Sequence, residues 1–173
     1  MIVRDERPAD TDAIRRVHLA AFETGEEAGL VDRLRGAAAP RVSLVAEADG
    51  DIVGHILFSP MTLDAAPALR LMGLAPMAVL PARQRAGVGS ALVASGLAAC
   101  RALGADAVAV LGHAAYYPRF GFLPASRFGL RAAYDVPDDC FMALELRPGA
   151  LASAHGVARY HPAFDEAEGG SSA

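Results

Sequence analysis

The stretch Ala75–Leu97, APMAVLPARQRAGVGSALVASGL, decides how this chain is read. An apolar run ends at Pro81, arginines flank Gln84, Gly87 and Gly89 follow one residue apart, and small apolar residues then continue toward Leu103. A strand therefore hands over to a helix through a positively charged turn that carries two glycines. The first amides of a helix have no partner inside it, and together with the helix dipole they form a site for phosphate oxygens. Glycine lets an anion reach that backbone without striking a Cβ. Arg83, Gln84 and Arg85 add donors, and a guanidinium meets phosphate through paired hydrogen bonds. A lone G-x-G is more simply a tight turn that relieves backbone strain; the arginines and the preceding apolar strand shift the balance toward an anion.

Two common phosphate loops are excluded. The dinucleotide fingerprint requires glycine or alanine where Leu92 stands, and the mononucleotide loop G-x-x-x-x-G-K-[ST] is absent.

Working outward, Ile2 to Arg7 suits a strand stopped at Pro8. Asp10 and Asp12 suit a helix start, with Ile14, Val17, His18 and Ala21 on one face. Gly25 breaks that helix, and Leu30, Val31 and Leu34 mark a second short one. RVSLVAEADGDIVGHILFSPMTL, Arg41–Leu63, reads as two strands around an Asp49-Gly50 hairpin turn. A strand near Leu69 to Val79, a helix from Gly87 to Leu103 and a buried strand from Asp106 to Leu111 follow. One helical turn over Tyr116 to Phe120 ends at Gly121, and strands fit Phe128 to Ala133 and Cys140 to Leu146. The order predicts an α/β (α+β) fold, a mixed and mostly antiparallel sheet of about six to seven strands with helices on both faces.

The chain has 173 residues, a length that suits one domain, and a net charge of -4 offers no global attraction to nucleic acid. The charged N-terminus lacks a signal-peptide core, and the longest uncharged stretch, Ala86 to Cys100, is too short for a membrane span. The expected location is cytoplasmic, with no membrane partner. Cys100 and Cys140 read as buried free thiols, and no metal-ligand spacing is present.

Gln84-Arg85-Ala86-Gly87-Val88-Gly89 has the form Q-x-x-G-x-G, after a strand ending Met77-Ala78-Val79-Leu80-Pro81. Further on, Tyr117-Pro118-Arg119-Phe120-Gly121-Phe122 has the form Y-x-[KR]-x-G-F, within VLGHAAYYPRFGF. In these two motifs the chain resembles the GCN5-related N-acetyltransferase (GNAT) superfamily. LVAEADGDIVGHILFSP, YYPRFGF and the late YHPAF look like its YhbS-type predicted acetyltransferases. The motifs cover Ala75 to Phe122, and the surrounding strand order extends the likeness to Ile2–Leu146. The resemblance implies a GNAT acetyltransferase domain over 1–146, followed by an expected packed C-terminal extension over 147–164; the tail over 165–173, DEAEGGSSA, is acidic and then Gly/Ser-rich, and its composition predicts disorder. It implies acetyl-CoA as cosubstrate without a metal. Gln84, Arg85, Ala86, Gly87, Val88, Gly89 and Ser90 would hold its pyrophosphate, and the backbone at Met77, Ala78 and Val79 its pantetheine arm.

Acetyl transfer to an amine needs a neutral amine, donors for the developing oxyanion and a proton or donor for the departing thiolate. Tyr117 is the candidate general acid, because a phenol stays protonated at neutral pH and the family's motif tyrosine commonly has this role. The plainer reading packs Tyr117 against the helix start; adjacent Tyr116 is expected to point elsewhere. The base is open between His113, Glu47, Glu26 or Glu27, and water. His18 reads as a core histidine, and His55 lies opposite Ile56 with no assigned role; the extension's His155 and His161 carry none either. Arg119 reads as an ion pair or solvated side chain before a phosphate ligand.

The expected activity is acetyl-CoA-dependent N-acetylation of a primary amine by direct attack in a ternary complex. The alternative is an acyl-CoA-binding sensor or partner module with little or no catalysis. The expected partner is a small-molecule or peptide amine acceptor, with no nucleic acid and a homodimer left open.

Overall fold

The structure is a computed structural model that describes residues 1–168. Nine strands form among the described residues, two more than the sequence suggests. The main path of the sheet runs β1 (Ile2–Asp5), β2 (Val42–Ala48), β3 (Asp51–Leu63), β4 (Leu71–Val79), β5 (Ala107–Leu111), β8 (Phe141–Glu145) and β6 (Leu123–Pro124). Every neighbouring pair on this path is antiparallel except β4 and β5. The additional strands are β6 and β9 (Gly156–Arg159). β9 pairs antiparallel with the far end of β3 and parallel with β7 (Leu130–Ala132).

The hairpin between β2 and β3 turns at Asp49 and Gly50, with φ of 54° and 83°. Two successive positive φ values give the primed turn that matches strand twist.

Alternating residues of the sheet divide the core between its faces. Leu44, Ala46, Ile56, Phe58, Val108 and Val110 meet Leu92, Val93, Leu97 and Cys100 of α3 (Val88–Ala102). Val45 and Leu57 point the other way. They meet Ile14 of α1 (Thr11–Ala21) and Leu30, Val31 and Leu34 of α2 (Glu26–Ala37). Gly96 lets α3 settle on the sheet, since a Cβ there would stand 2.2 Å from the Phe58 ring.

The α1 face also carries a polar chain that runs from half-buried Arg35, Glu6 and Ser43 to two buried histidines. Arg35 Nε donates to Glu6 Oε1 at 2.5 Å, and Ser43 Oγ donates to Glu6 Oε2. With its own proton given to the carboxylate, Ser43 accepts from His55 Nε2 at 2.8 Å, which leaves His55 Nδ1 to accept from His18 Nε2 at 2.9 Å. His18 Nδ1 ends the chain without a partner among the described residues. Burial first, then the neighbouring His55, pushes the His18 pKa down to about 3, so it stays neutral. Burial also lowers the His55 pKa, although Glu6 opposes this. His55, given no role by the sequence reading, thus links two layers.

Two expectations need correction. Cys140 is half-buried and closes the 3-10 turn Asp138–Cys140 one residue before β8; only Cys100 is a core thiol, its pKa raised to about 12 by burial. Of the tail read as disordered, Asp165–Glu168 forms the short helix α4, and 169–173 lie outside the described residues.

Candidate active site

The strands that carry the two motifs touch only briefly. β4 and β5 pair through Leu71–Gly73 and Ala107–Ala109, and after those rungs they separate. β4 carries a bulge just beyond, where Ala75 and Pro76 lie between the rungs Ile56–Met77 and Phe58–Leu74. Leu80 N–H donates to Val53 O at 2.9 Å, so alternation turns the Ala78 amide group toward β3 and those of Met77 and Val79 toward the gap.

On the α3 face the gap opens into a cavity of about 760 Å³. Met77 and Val79 form one wall, the Gln84–Ser90 loop one end, and His113, Tyr116, Tyr117 and Arg119 the opposite side. The loop is built for an anion. Arg85 and Gly87 both have left-handed backbones, φ 61° and 85°. Ala91 N–H already bonds Gly87 O at 3.0 Å, which leaves the amides of Val88, Gly89 and Ser90 without an intrahelical acceptor. A Cβ at Gly87 would meet nothing within 4 Å, so the approach to these amides is open. Arg85 and Arg119 line the cavity, and among the described residues no carboxylate does.

Several sequence candidates settle differently. Arg83 leaves the loop to pair with Asp49 at 3.0 Å. Gln84 Nε2 donates to Val79 O at 3.1 Å and so braces the loop against the strand. Ala86 and Val88 offer only backbone, since the Ala86 side chain is exposed outside the cavity lining and Val88 is buried in the core. Ala78 is turned away from the gap. Glu47 lies outside the cavity, its carboxylate held by Arg4 Nε at 2.9 Å, so the proton-acceptor role read for it has no support in the site.

The tyrosine pair is informative. Tyr117 is buried beneath the loop after β5, where Gly112 makes room for it; a Cβ there would stand 2.4 Å from the ring. Its ring meets Phe122 and Tyr116 edge-on at 5.7 and 5.1 Å. Burial raises its pKa to about 12. Tyr116, set aside in the sequence reading, reaches the helix start instead, its hydroxyl 3.4 Å from Ser90 Oγ. Arg119 is exposed, as the solvated reading had it, and forms no ion pair among the described residues; it stacks on the Tyr116 ring at 4.5 Å and donates to the Tyr116 carbonyl at 2.9 Å.

Residues 11–122 match the Acetyltransferase (GNAT) family. The chain belongs to that family. It is 43% identical over 141 residues, 78% of each chain, to the uncharacterized N-acetyltransferase YjhQ of Escherichia coli K12. It is 34% identical over 166 residues to the uncharacterized N-acetyltransferase YhbS of the same strain, covering 95% of this chain and 99% of that one. The crystal structure of Escherichia coli YhbS in complex with CoA superposes with a TM-score of 0.88, covering 95% of this chain and 91% of that one. A GNAT acetyltransferase from Brucella melitensis in complex with acetyl-CoA superposes at 0.78 with 39% identity, covering 95% and 97%. The chain is thus a GNAT acyltransferase, with that family's mixed, mostly antiparallel sheet.

A second cavity, of about 490 Å³, lies across the gap on the α2 face. Leu111 shares the strand parity of Ala107 and Ala109, which pack away from α3. With Ala75 it forms the floor, Glu26, Glu27 and Leu30 of α2 form one side, and Tyr134, Tyr160 and Phe164 form the other. The C-terminal aromatics were not singled out from sequence; the YHPAF segment that holds two of them was the available signal.

Proposed function

We propose that this chain moves an acetyl group from acetyl-CoA to a primary amine by direct attack in a ternary complex. The observation that carries the reading is the parting of β4 and β5, with an anion-holding loop and Tyr117 on one side and a second cavity on the other. A diphosphate suits the Val88, Gly89 and Ser90 amides with Arg85 beside them. An extended pantetheine arm suits the β4 edge at Met77 and Val79, whose N–H groups face the gap while Gln84 occupies the Val79 carbonyl. Acetyl-CoA supplies the activated acyl group, and the residues of this chain position it and receive the charge that develops.

Tyr117 is placed to hold that charge at sulfur. With its phenol at about 12 and an ordinary thiol near ~8.5, complete proton transfer runs uphill by about 5 kcal/mol. Tyr117 therefore acts by donating a hydrogen bond to the thiolate, a narrower role than general acid. His113, exposed on the rim of the same cavity, takes the amine proton and passes it to water.

The test follows thiol release from acetyl-CoA across a panel of primary amines, beside thermal shifts with coenzyme A. Stabilisation together with turnover is expected. Stabilisation without turnover on any amine would instead establish an acyl-CoA-binding module.

A further inference from the structure

The two cavities have opposite chemistry. Among the described residues, the α3-side cavity is lined by Arg85 and Arg119 and no carboxylate, whereas the α2-side cavity is lined by Glu26 and Glu27 and no cation. Glu27 is the telling residue. Its Oε2 is buried and has no hydrogen-bond partner among the described residues, a costly state for a carboxylate oxygen unless a donor arrives. The remaining walls are apolar or aromatic. Tyr160 packs against Phe164 at 4.6 Å and lies over Gly73, where a Cβ would come within 2.7 Å of its ring. Its hydroxyl is already engaged, accepting from Leu111 N–H at 3.1 Å. The pocket thus offers a carboxylate with one unpartnered oxygen and aromatic faces, both of which attract an ammonium, and few groups for a polyhydroxylated body.

We infer that the α2-side cavity selects primary amines with an apolar, uncharged body, arylalkylamines above all, and that Glu27 is the residue that receives the ammonium. This rests on the acetyltransfer reading above and assigns its acceptor class. A carboxylate on the acceptor would face both Glu26 and Glu27, so α-amino acids are rejected by like charge. The half-buried Glu27 carboxylate accepts an N–H of the ammonium, and Leu30, Phe164 and Tyr134 cover the body. Loss of one proton to His113 or water then leaves the amine facing the gap.

The pair 2-phenylethylamine and L-phenylalanine, which differ only by the carboxylate, tests this. Each is titrated calorimetrically into the full chain, alone and saturated with coenzyme A. The amine is expected to bind at least tenfold more tightly than the amino acid. Glu27→Gln, nearly isosteric, is expected to weaken the amine at least tenfold with coenzyme A affinity and melting temperature unchanged. Equal binding of both compounds, no binding of either, or a Glu27→Gln variant that keeps full amine affinity would overturn the inference. Coenzyme A titrated separately keeps the two readings apart: failure there removes the acetyltransfer reading, and amine selectivity is then judged by itself.

Discussion

Replacing Tyr117 with Phe removes one oxygen from a site whose packing belongs to the ring. The contacts with Phe122 and Tyr116, and the fit against Gly112, all survive the change. The melting temperature should therefore move little. The catalytic loss follows from the hydrogen-bond role. A hydrogen bond to a charged group contributes about 1.5–3 kcal/mol, which corresponds to a fall in kcat of roughly 10- to 100-fold. A full proton donor would cost more, up to roughly 10⁴-fold. Since the phenol titrates near pH 12, any alkaline limb below about pH 10 should persist unchanged in Tyr117→Phe. Initial rates at saturating amine, with acetyl-CoA varied across pH, read all of these. The diphosphate end is untouched, so KM for acetyl-CoA should stay within about threefold. Unchanged kcat would remove Tyr117 from the mechanism, and an equal loss in kcat and coenzyme A affinity would make its role structural.

Three further outcomes follow from the geometry. Gly87→Ala forces a side chain into a left-handed backbone, φ 85°, at a cost of about 1–2 kcal/mol; a chemical melt with unaltered midpoint and an unchanged coenzyme A shift would refute the loop's role. Gly96→Ala drives a methyl to 2.2 Å from Phe58, and overpacking of about 1–3 kcal/mol should exceed the roughly 1 kcal/mol alanine adds to the helix, which urea unfolding would show. The neutral histidines give an acid sensitivity. With a folded pKa below the unfolded value near ~6.5, His18 contributes stability that is complete above that pH and is lost as pH falls toward about 3; roughly 2 kcal/mol should be gone by pH 5, and a flat melting temperature from pH 7 to 5 would refute it.

What the sequence disclosed, and what it hid, divides along local and non-local lines. The Asp49-Gly50 turn was legible because both positions need positive φ, which these residue types tolerate. The α3 start was legible because glycine spacing and charge sit within one short segment. β6 and β9 were not, since strands of two and four residues carry no measurable alternation and their pairing is decided by distant partners. Tyr116 was set aside as a helical neighbour of Tyr117, but it lies just before the turn Tyr117–Phe120, which is 3-10, so helical spacing does not decide where its side chain points. Glu47 looked available because nothing local announces an arginine forty-three positions earlier as its partner. Of the second cavity the sequence offered Glu26 and Glu27, and the rest was hidden for the same reason, being assembled from β4, β5, the segment between β7 and β8 and the C-terminal extension.

The hydroxyl of Tyr160 has a geometric consequence beyond its pocket. Leu111 N–H is the β5 donor that faces the gap, since Gly112 N–H turns to Cys140 O on the other side, and Tyr160 occupies it. The β5 donor at the opening is thereby taken, whereas on the opposite lip the Met77 and Val79 N–H groups of β4 face the gap. An extended guest therefore meets its open main-chain donors on β4, and that strand dictates its direction and depth.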